Sequence, residues 1–376
     1  ALVFGTSELA VATVLAAYMG GLALGAARID RMLPRFTRPV LGYALLELGI
    51  GAASVALVPA LLYASSALLV TMFGGQDAPP SSEHGGLSLY FLVTAFVVLA
   101  VPATLMGATL PLLARHAVRE DAQIGHRIGL LYAANTAGAV AGALLTAFWL
   151  LPLLGLRATV WAAAAVNVVV FLIAATLSQR VPASALPATA PRVPLFADAS
   201  HWILPLMLAS GAVTFFNEVL WSRMLGHIVG SSIHAFGVMV ASFLSGIALG
   251  GGLGAWLATT RERSTHLFIL CQFGIAASAV VAFLLLNRHV PARAGLAGNS
   301  LFGFMLLLPL TLFIGATYPL AVRILARGPE AAAGASARVY AWNTVGAILG
   351  AVSGGFIVIP ALRYEGAIHA AVIASV

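Results

Sequence analysis

The chain has 376 residues, of which 61% are hydrophobic and 8% charged, and its mean hydropathy is +1.01. A soluble domain carries about 25% charge, so these figures exclude a soluble enzyme, a secreted disulfide scaffold and a disordered chain. The lone cysteine, Cys271, excludes an intrachain disulfide and a cysteine-based metal cluster. The net charge of +7 comes from 19 basic residues, all arginine, spread over short loops rather than gathered on a nucleic-acid-binding face.

A hydrocarbon core about 30 Å thick needs about 20 apolar residues of helix. In chain order, the apolar runs predict membrane spans near 5–27, 39–64, 88–113, 130–152, 156–178, 202–222, 230–257, 266–287, 298–322, 338–360 and from 366 onward. The first run has no charged leader and no cleavage site, so it does not read as a signal peptide. The last is about half a span long, and a longer natural chain is expected. Alternate loops are rich in arginine. Arg28, Arg31, Arg35, Arg38, Arg115, Arg119, Arg127, Arg180, Arg192, Arg261, Arg263, Arg323, Arg327 and Arg338 fall on one side, and only Arg157, Arg223, Arg288, Arg293 and Arg363 on the other. The bias predicts that the first set is cytoplasmic and that loop 74–87, with two acids and no arginine, is external. The Pro- and Ala-rich segment 179–200 reads as a cytoplasmic linker. It separates a first membrane repeat, 1–178, from a second, 201–376.

The two halves are copies. At an offset of 225, Gly21-Leu22-Ala23-Leu24-Gly25 aligns with Gly246-Ile247-Ala248-Leu249-Gly250, and Glu47 with Gln272. At an offset of 208, residues 107–152 align without a gap with 315–360, and 17 of 46 positions are identical. The span at 202–222 has no counterpart at the start of the first copy. Restoring one gives six spans per copy. An even number makes the copies parallel, related by an axis along the membrane normal, which is the major-facilitator arrangement. The expected fold class is thus an all-α polytopic membrane protein of two parallel six-span repeats, with about eleven spans in the given chain.

Five strings extend this reading: VLAAYMGGLALG (14–25), LLELGIG (45–51), MGATLPLLAR (106–115), LYAANTAGAVAGALL (131–145) and FNEVLWSRMLGHIVGSSIHAF (216–236). Together they resemble the membrane domain of the bacterial fused major-facilitator/spermidine-synthase-like proteins. The resemblance implies a multi-pass protein of the bacterial inner membrane, a polyamine-related solute, and a soluble aminopropyltransferase-like domain beyond Val376. Within the chain no strand–glycine-turn–helix unit occurs. The run Gly250-Gly251-Gly252-Leu253-Gly254 follows a membrane helix and not a strand, so it does not read as a nucleotide loop. No catalytic residue, metal ligand set or cofactor is expected.

An ionised group at the bilayer centre costs at least about 2.5 kcal/mol, so intramembrane polar residues are the candidate binding groups. Glu47 is the deepest acid, and its repeat mate Gln272 shares its depth. The pair is expected to face each other across the interface between the bundles, as a cation or proton site or as structural hydrogen bonders. Glu218, beside Asn217, Trp221 and Arg223, reads either as an interface carboxylate paired with Arg223 under a Trp anchor or as a gating or substrate-binding group. Glu8 reads as an interface acid. His234 is a further polar candidate. Tyr132, Asn135 and Thr136 recur as Tyr340, Asn343 and Thr344, a spacing that puts each set on one helix face, for interhelical hydrogen bonds or for solute. The glycines at four-residue spacing read as close helix packing. Asp30, Arg31 and Arg35 are similar to the acidic-basic loop signature of major-facilitator transporters, where such pairs latch the halves.

Three functions stay open at this point: a transporter-type domain for a small polar molecule, a non-transporting anchor or scaffold subunit of a larger complex, and the membrane half of an aminopropyltransferase-like enzyme. The lipid bilayer is the expected partner, with protein partners in the second case and no nucleic acid in any.

Overall fold

The computed structural model describes residues 8–33, 36–73, 85–180, 202–229, 233–288, 295–358, 361–362 and 366. A backbone in hydrocarbon must satisfy its own N–H and C=O groups, and the described residues do so as helices. They are α1 (Glu8–Met32), α2 (Pro39–Ala52), α3 (Val58–Phe73), α4 (Gly85–Ala117), α5 (Ile124–Leu145), α6 (Leu151–Arg180), α7 (Ile203–Val229), α8 (Ile233–Leu257), α9 (Arg261–Arg288), α10 (Gly295–Leu325) and α11 (Pro329–Val352). A π-turn at Ala53–Leu57 joins α2 to α3 as one long rod, and others follow α5 and α11 at Thr146–Leu150 and Ser353–Val358.

The described parts of the expected spans from 5–27 to 338–360 fall within these helices and turns. The span from 366 onward, most of loop 74–87 and nearly all of the 179–200 linker lie outside the described residues. Seven segments among the described residues are long and apolar enough to cross a membrane, so the chain is a multi-pass membrane protein. The expectation of eleven spans is not confirmed among the described residues, for two reasons. Asp121–Arg180 is one continuous helical run of 60 residues. Within it, Gly155 adopts φ +70°, a left-handed conformation open to glycine without strain, and this turn divides the run where the sequence placed a boundary. Helices α1 and α11, 25 and 24 residues long, are not among the seven. Glu330, Arg338, Tyr340, Asn343 and Thr344 make α11 the more polar kind of helix that packs between others.

Packing within each half follows the repeat. A Cβ on Gly107 of α4 would run into the Leu22 carbonyl of α1, and one on Gly315 of α10 into the Ile247 carbonyl of α8. Gly25 meets the Thr104 carbonyl as Gly250 meets that of Leu312. Gly49 of α2 faces Leu105 as Gly274 of α9 faces Phe313. Each pair is related by the offsets 225 and 208. At Gly25, Gly107, Gly250 and Gly315 the facing atoms are backbone, and backbones this close exclude any side chain larger than hydrogen, which is how small residues hold membrane helices together when lipid is as apolar as leucine.

Across the halves, α1 packs on α11 and α5 on α8, with α4 also touching α11 and α5 touching α10. Helix α2 packs on α4 and α6, and α9 on α10, so neither takes a main part in this seam. The loops that follow α4, α8 and α10 meet at one end. Arg323 Nη2 donates to Asp121 Oδ2 at 2.7 Å, Arg323 Nε to the Thr259 carbonyl at 3.3 Å, and Arg261 Nε to the Ile324 carbonyl at 3.1 Å. Asp30 of α1 lies against Gly334 of α11 at the same end. Three of the loops assigned to the arginine-rich side therefore share one face of the molecule.

Candidate central site

Four tyrosines meet at the seam, two from each half. The Tyr132 ring of α5 lies over the Tyr318 ring of α10, with centroids 4.5 Å apart and planes inclined by 30°. Tyr318 meets Tyr340 of α11 edge to face at 6.3 Å and 85°. Offset and edge-to-face arrangements are those the ring quadrupole favours. The electrostatic neighbours of Tyr340 include Tyr18 of α1 as well as Tyr132 and Tyr318. Tyr318 is 3% exposed, and its hydroxyl pairs with Ser336 Oγ at 2.7 Å. Tyr18, Tyr132 and Tyr340 are half-buried. Tyr132 also rests on the far half through α8, since a Cβ on Gly251 would lie 3.0 Å from its ring. The rings thus fill the space between the bundles on the arginine-rich side of the membrane. Tyr340 is 11 residues into α11, roughly 16 Å from that end.

The two repeated triplets divide. Tyr132 and Tyr340 join the cluster, but Thr136 and Thr344 do not bridge helices. Their hydroxyls donate back to the carbonyls of Tyr132 and Tyr340 one turn earlier, at 2.8 and 2.7 Å. Back-bonding satisfies a hydroxyl inside its own helix, which replaces the expected interhelical bond. Asn343 stands beside Gly211 of α7, whereas Asn135 is exposed.

Glu47 and Gln272 do not form the expected pair. Glu47 bonds to the Tyr43 side chain one turn away on α2, and Gln272 Nε2 donates to Ser210 Oγ of α7 at 3.3 Å. Each contact stays within its own half. Equivalent positions in parallel repeats share depth, but rotation about the membrane normal carries them to opposite flanks when they sit on outer helices. Equal depth is therefore not opposition.

Glu218 lies on the inward side of its helix. Trp202, just before α7, and Leu206 and Ala209 on it are exposed and mark the lipid face. Ala209 is nine residues from Glu218, and nine steps of about 100° put them on opposite sides of the helix. Glu218 is half-buried on the side away from lipid. Below and beside it, Ser210, Thr214, Asn217 and Trp221 continue a polar stripe at helical spacing, all of them buried. Asn217 Nδ2 bonds the Val213 carbonyl at 2.9 Å. Trp221 is 1% exposed and packs among Phe243, Ile247, Leu306, Leu307 and Leu310. That corrects its reading as an interface anchor, because the core of the second half takes the indole. Glu8 and His234 fall in α1 and α8, but their side chains, like that of Arg223, lie outside the described residues. Among the described residues no three His, Cys, Asp or Glu side chains converge on a metal position.

Tyr18, Tyr318 and Asp121, and the pairing of Asp121 with Arg323, escaped the sequence reading. The repeat mates of Tyr18, Tyr318 and Asp121 are Phe243, Leu110 and Pro329, so a search for shared positions passes over these three. The signal that finds them is the reverse one, a polar group in one copy where the other is apolar.

No protein-family model and no curated protein matches the chain. Solved structures do. A major-facilitator superfamily transporter, FucP, in the outward conformation aligns over 98% of this chain and 97% of its own, with TM-score 0.52 and 15% identity. A bacterial homologue of the iron transporter ferroportin, outward-facing with soaked iron, aligns over 99% of this chain and 88% of its own, with TM-score 0.59 and 16% identity. The chain has the major-facilitator fold. At these identities the likeness extends to the fold alone.

Proposed function

We propose that the chain is a transporter of a small cationic solute in a bacterial inner membrane, built as two parallel six-span repeats about a central path. The observation that carries the proposal is Glu218, an intramembrane carboxylate on the face of α7 turned away from lipid. Such a group is costly in a bilayer unless it meets a partner or a wet cavity, and it marks a solute or ion path. Most of the basic residues fall near helix ends or in loops, with Arg338 nine residues into α11 on the arginine-rich side. The tyrosine cluster adds ring faces, to which cations are attracted, and it lies nearer the arginine-rich end than Glu218 does. Glu218 is 15 residues into α7, about 22 Å from that end. A solute entering from the opposite side would meet Glu218 first and the tyrosines last. The matching contacts at offsets 225 and 208 support the two-repeat architecture. The resemblance to the fused spermidine-synthase-like proteins favours a polyamine, while one central carboxylate favours a cation of low charge.

The test is uptake of radiolabelled putrescine and choline into liposomes holding the purified protein and an inside-negative potential. Saturable uptake of at least one is expected. Glu218→Gln should lower it by about tenfold or more, the loss of ~1.4 kcal/mol of binding, while the protein stays folded and inserted. Uptake of both probes no greater than in empty liposomes would overturn the proposal.

A further inference from the structure

Three tyrosine hydroxyls at the seam open onto a space inside the protein. Tyr18, Tyr132 and Tyr340 lie deep in the molecule, as does Glu218, yet each of the four keeps part of its surface uncovered. Surface left uncovered at that depth borders an internal space and not lipid. The Tyr318 hydroxyl is taken by Ser336 Oγ at 2.7 Å. Those of Tyr18, Tyr132 and Tyr340 have no hydrogen-bond partner among the described residues. They are not shut in either, unlike Asn217 Oδ1 and Trp221 Nε1, which are sealed without a partner in the second half. The phenolic oxygens stand near enough for that of Tyr340 to feel those of Tyr18, Tyr132 and Tyr318.

Charge around these hydroxyls is sparse. Arg338 is two residues before Tyr340 on α11, about 200° around the helix from it, and its Nε donates to the Gly334 carbonyl at 3.2 Å. Its side chain leaves α11 on the side opposite the hydroxyls. Glu47 belongs to α2, outside the seam. Glu218 is 15 residues into α7 and Tyr340 11 into α11, so the carboxylate stands roughly 6 Å further from the arginine-rich end than the tyrosines do.

Two kinds of group therefore stand at two heights, one carboxylate above and three hydroxyls below, and each selects a different part of a solute. The carboxylate selects one positive charge. A second ammonium among the hydroxyls would lack a counter-ion, and a carboxylate there would lack a cation. Either is costly away from water. An apolar tail would leave the hydroxyls unpaired, which is costly as well. A neutral polar tail meets neither objection.

We infer that the solute is a monovalent amino alcohol, with its cationic nitrogen at Glu218 and its hydroxyl, two carbons away, among Tyr18, Tyr132 and Tyr340. The inference rests on the reading of the chain as a transporter of a cationic solute, and it decides between the two probes of that reading. Choline suits both heights, and putrescine only the upper one. The ring faces of the same tyrosines suit the methyl groups of a quaternary nitrogen.

The test compares choline with propyltrimethylammonium, which has the same charge and nearly the same shape but a methyl in place of the hydroxyl. Its inhibition constant against labelled choline uptake is measured beside the half-saturating concentration of choline, in the liposomes described above. Choline is expected to bind about tenfold more tightly, the effect of one or two neutral hydrogen bonds. In Tyr132→Phe and Tyr340→Phe, which keep the ring and remove the hydroxyl, the ratio should fall toward one. A merely structural role would weaken both compounds alike, and a ratio that survives in both variants overturns the inference. Equal binding of the two compounds in the unaltered protein overturns it without recourse to any variant. Saturable uptake of putrescine and none of choline overturns it with the transporter reading intact. If neither is taken up, both readings fall.

Discussion

Asp121→Asn should loosen the arginine-rich end of the seam by about fivefold. The bond it removes joins Arg323 Nη2 to Asp121 Oδ2 at 2.7 Å, the length of a charge-assisted hydrogen bond. The two partners differ in solvation, with 7% of the Arg323 side chain exposed against 56% for Asp121. A solvated aspartate holds the pair near the range of surface bridges, about 0.2–1 kcal/mol. The buried guanidinium moves it to the top of that range, because a charge losing its partner in a dry place is costly. The loss stays short of the ~3–5 kcal/mol of a fully orphaned ion, since Arg323 Nε keeps the Thr259 carbonyl at 3.3 Å. About 1 kcal/mol is about a factor of five in an equilibrium constant. The assay replaces Cys271 by alanine and places a cysteine at Ala337, which is 0% exposed and packs beside Ile29 and Leu33 between α1 and α11. Alkylation there requires the seam to part. Its rate should rise about fivefold in Asp121→Asn, and the Asp121 protein should approach that rate in ~1 M salt, where the Debye length falls to about 3 Å. An unchanged rate in Asp121→Asn would refute the reasoning and leave the pair a bystander.

Two further outcomes are expected. Gly107→Ala and Gly315→Ala should each lower Tm, because the added methyl meets the backbone of Leu22 or Ile247, and overpacking of about 1–3 kcal/mol outweighs the ~1 kcal/mol that alanine gains in a helix. Thermal melts in detergent check this, and similar losses at the two sites are expected. Glu47→Gln should leave solute uptake near the unaltered level, since Glu47 lies on α2, outside the seam, and a loss as large as that of Glu218→Gln would return Glu47 to the solute path.

The sequence discloses most of the fold because its signals are local. Apolar runs of span length, prolines at the first turn of α2 and α11, and arginine in alternate loops each report on one segment and need no partner. The glycine register was legible as well, because the same close approach recurs at the offsets 225 and 208. What crosses the seam was not legible. Asp121 and Arg323 are 202 residues apart, and no periodicity relates them. Glu47 and Gln272 mark the limit of the repeat argument, for shared depth gives height in the membrane but not direction. Glu218 was visible as an intramembrane acid, but its side of α7 follows only from the exposure of Trp202, Leu206 and Ala209.

Symmetric and asymmetric positions therefore do different work. Gly107 and Gly315, Gly25 and Gly250, and Gly49 and Gly274 are alike in both copies because both bundles need the same joint, and a change at one has no reason to be favoured over a change at the other. A path across a membrane must differ at its two ends and hold its solute unevenly, so its groups are expected where the copies diverge. Tyr318 stands for Leu110, Tyr18 for Phe243, Asp30 for Ala255 and Asp121 for Pro329, and all four lie at the seam or beside it. The divergent polar positions gather where the halves meet, on the arginine-rich side. That end is the one fastened in this structure, by rings within the membrane and by an ion pair at its edge. For the halves to part there, the Tyr132–Tyr318 stack and the Asp121–Arg323 bond must both break, because each joins one half to the other.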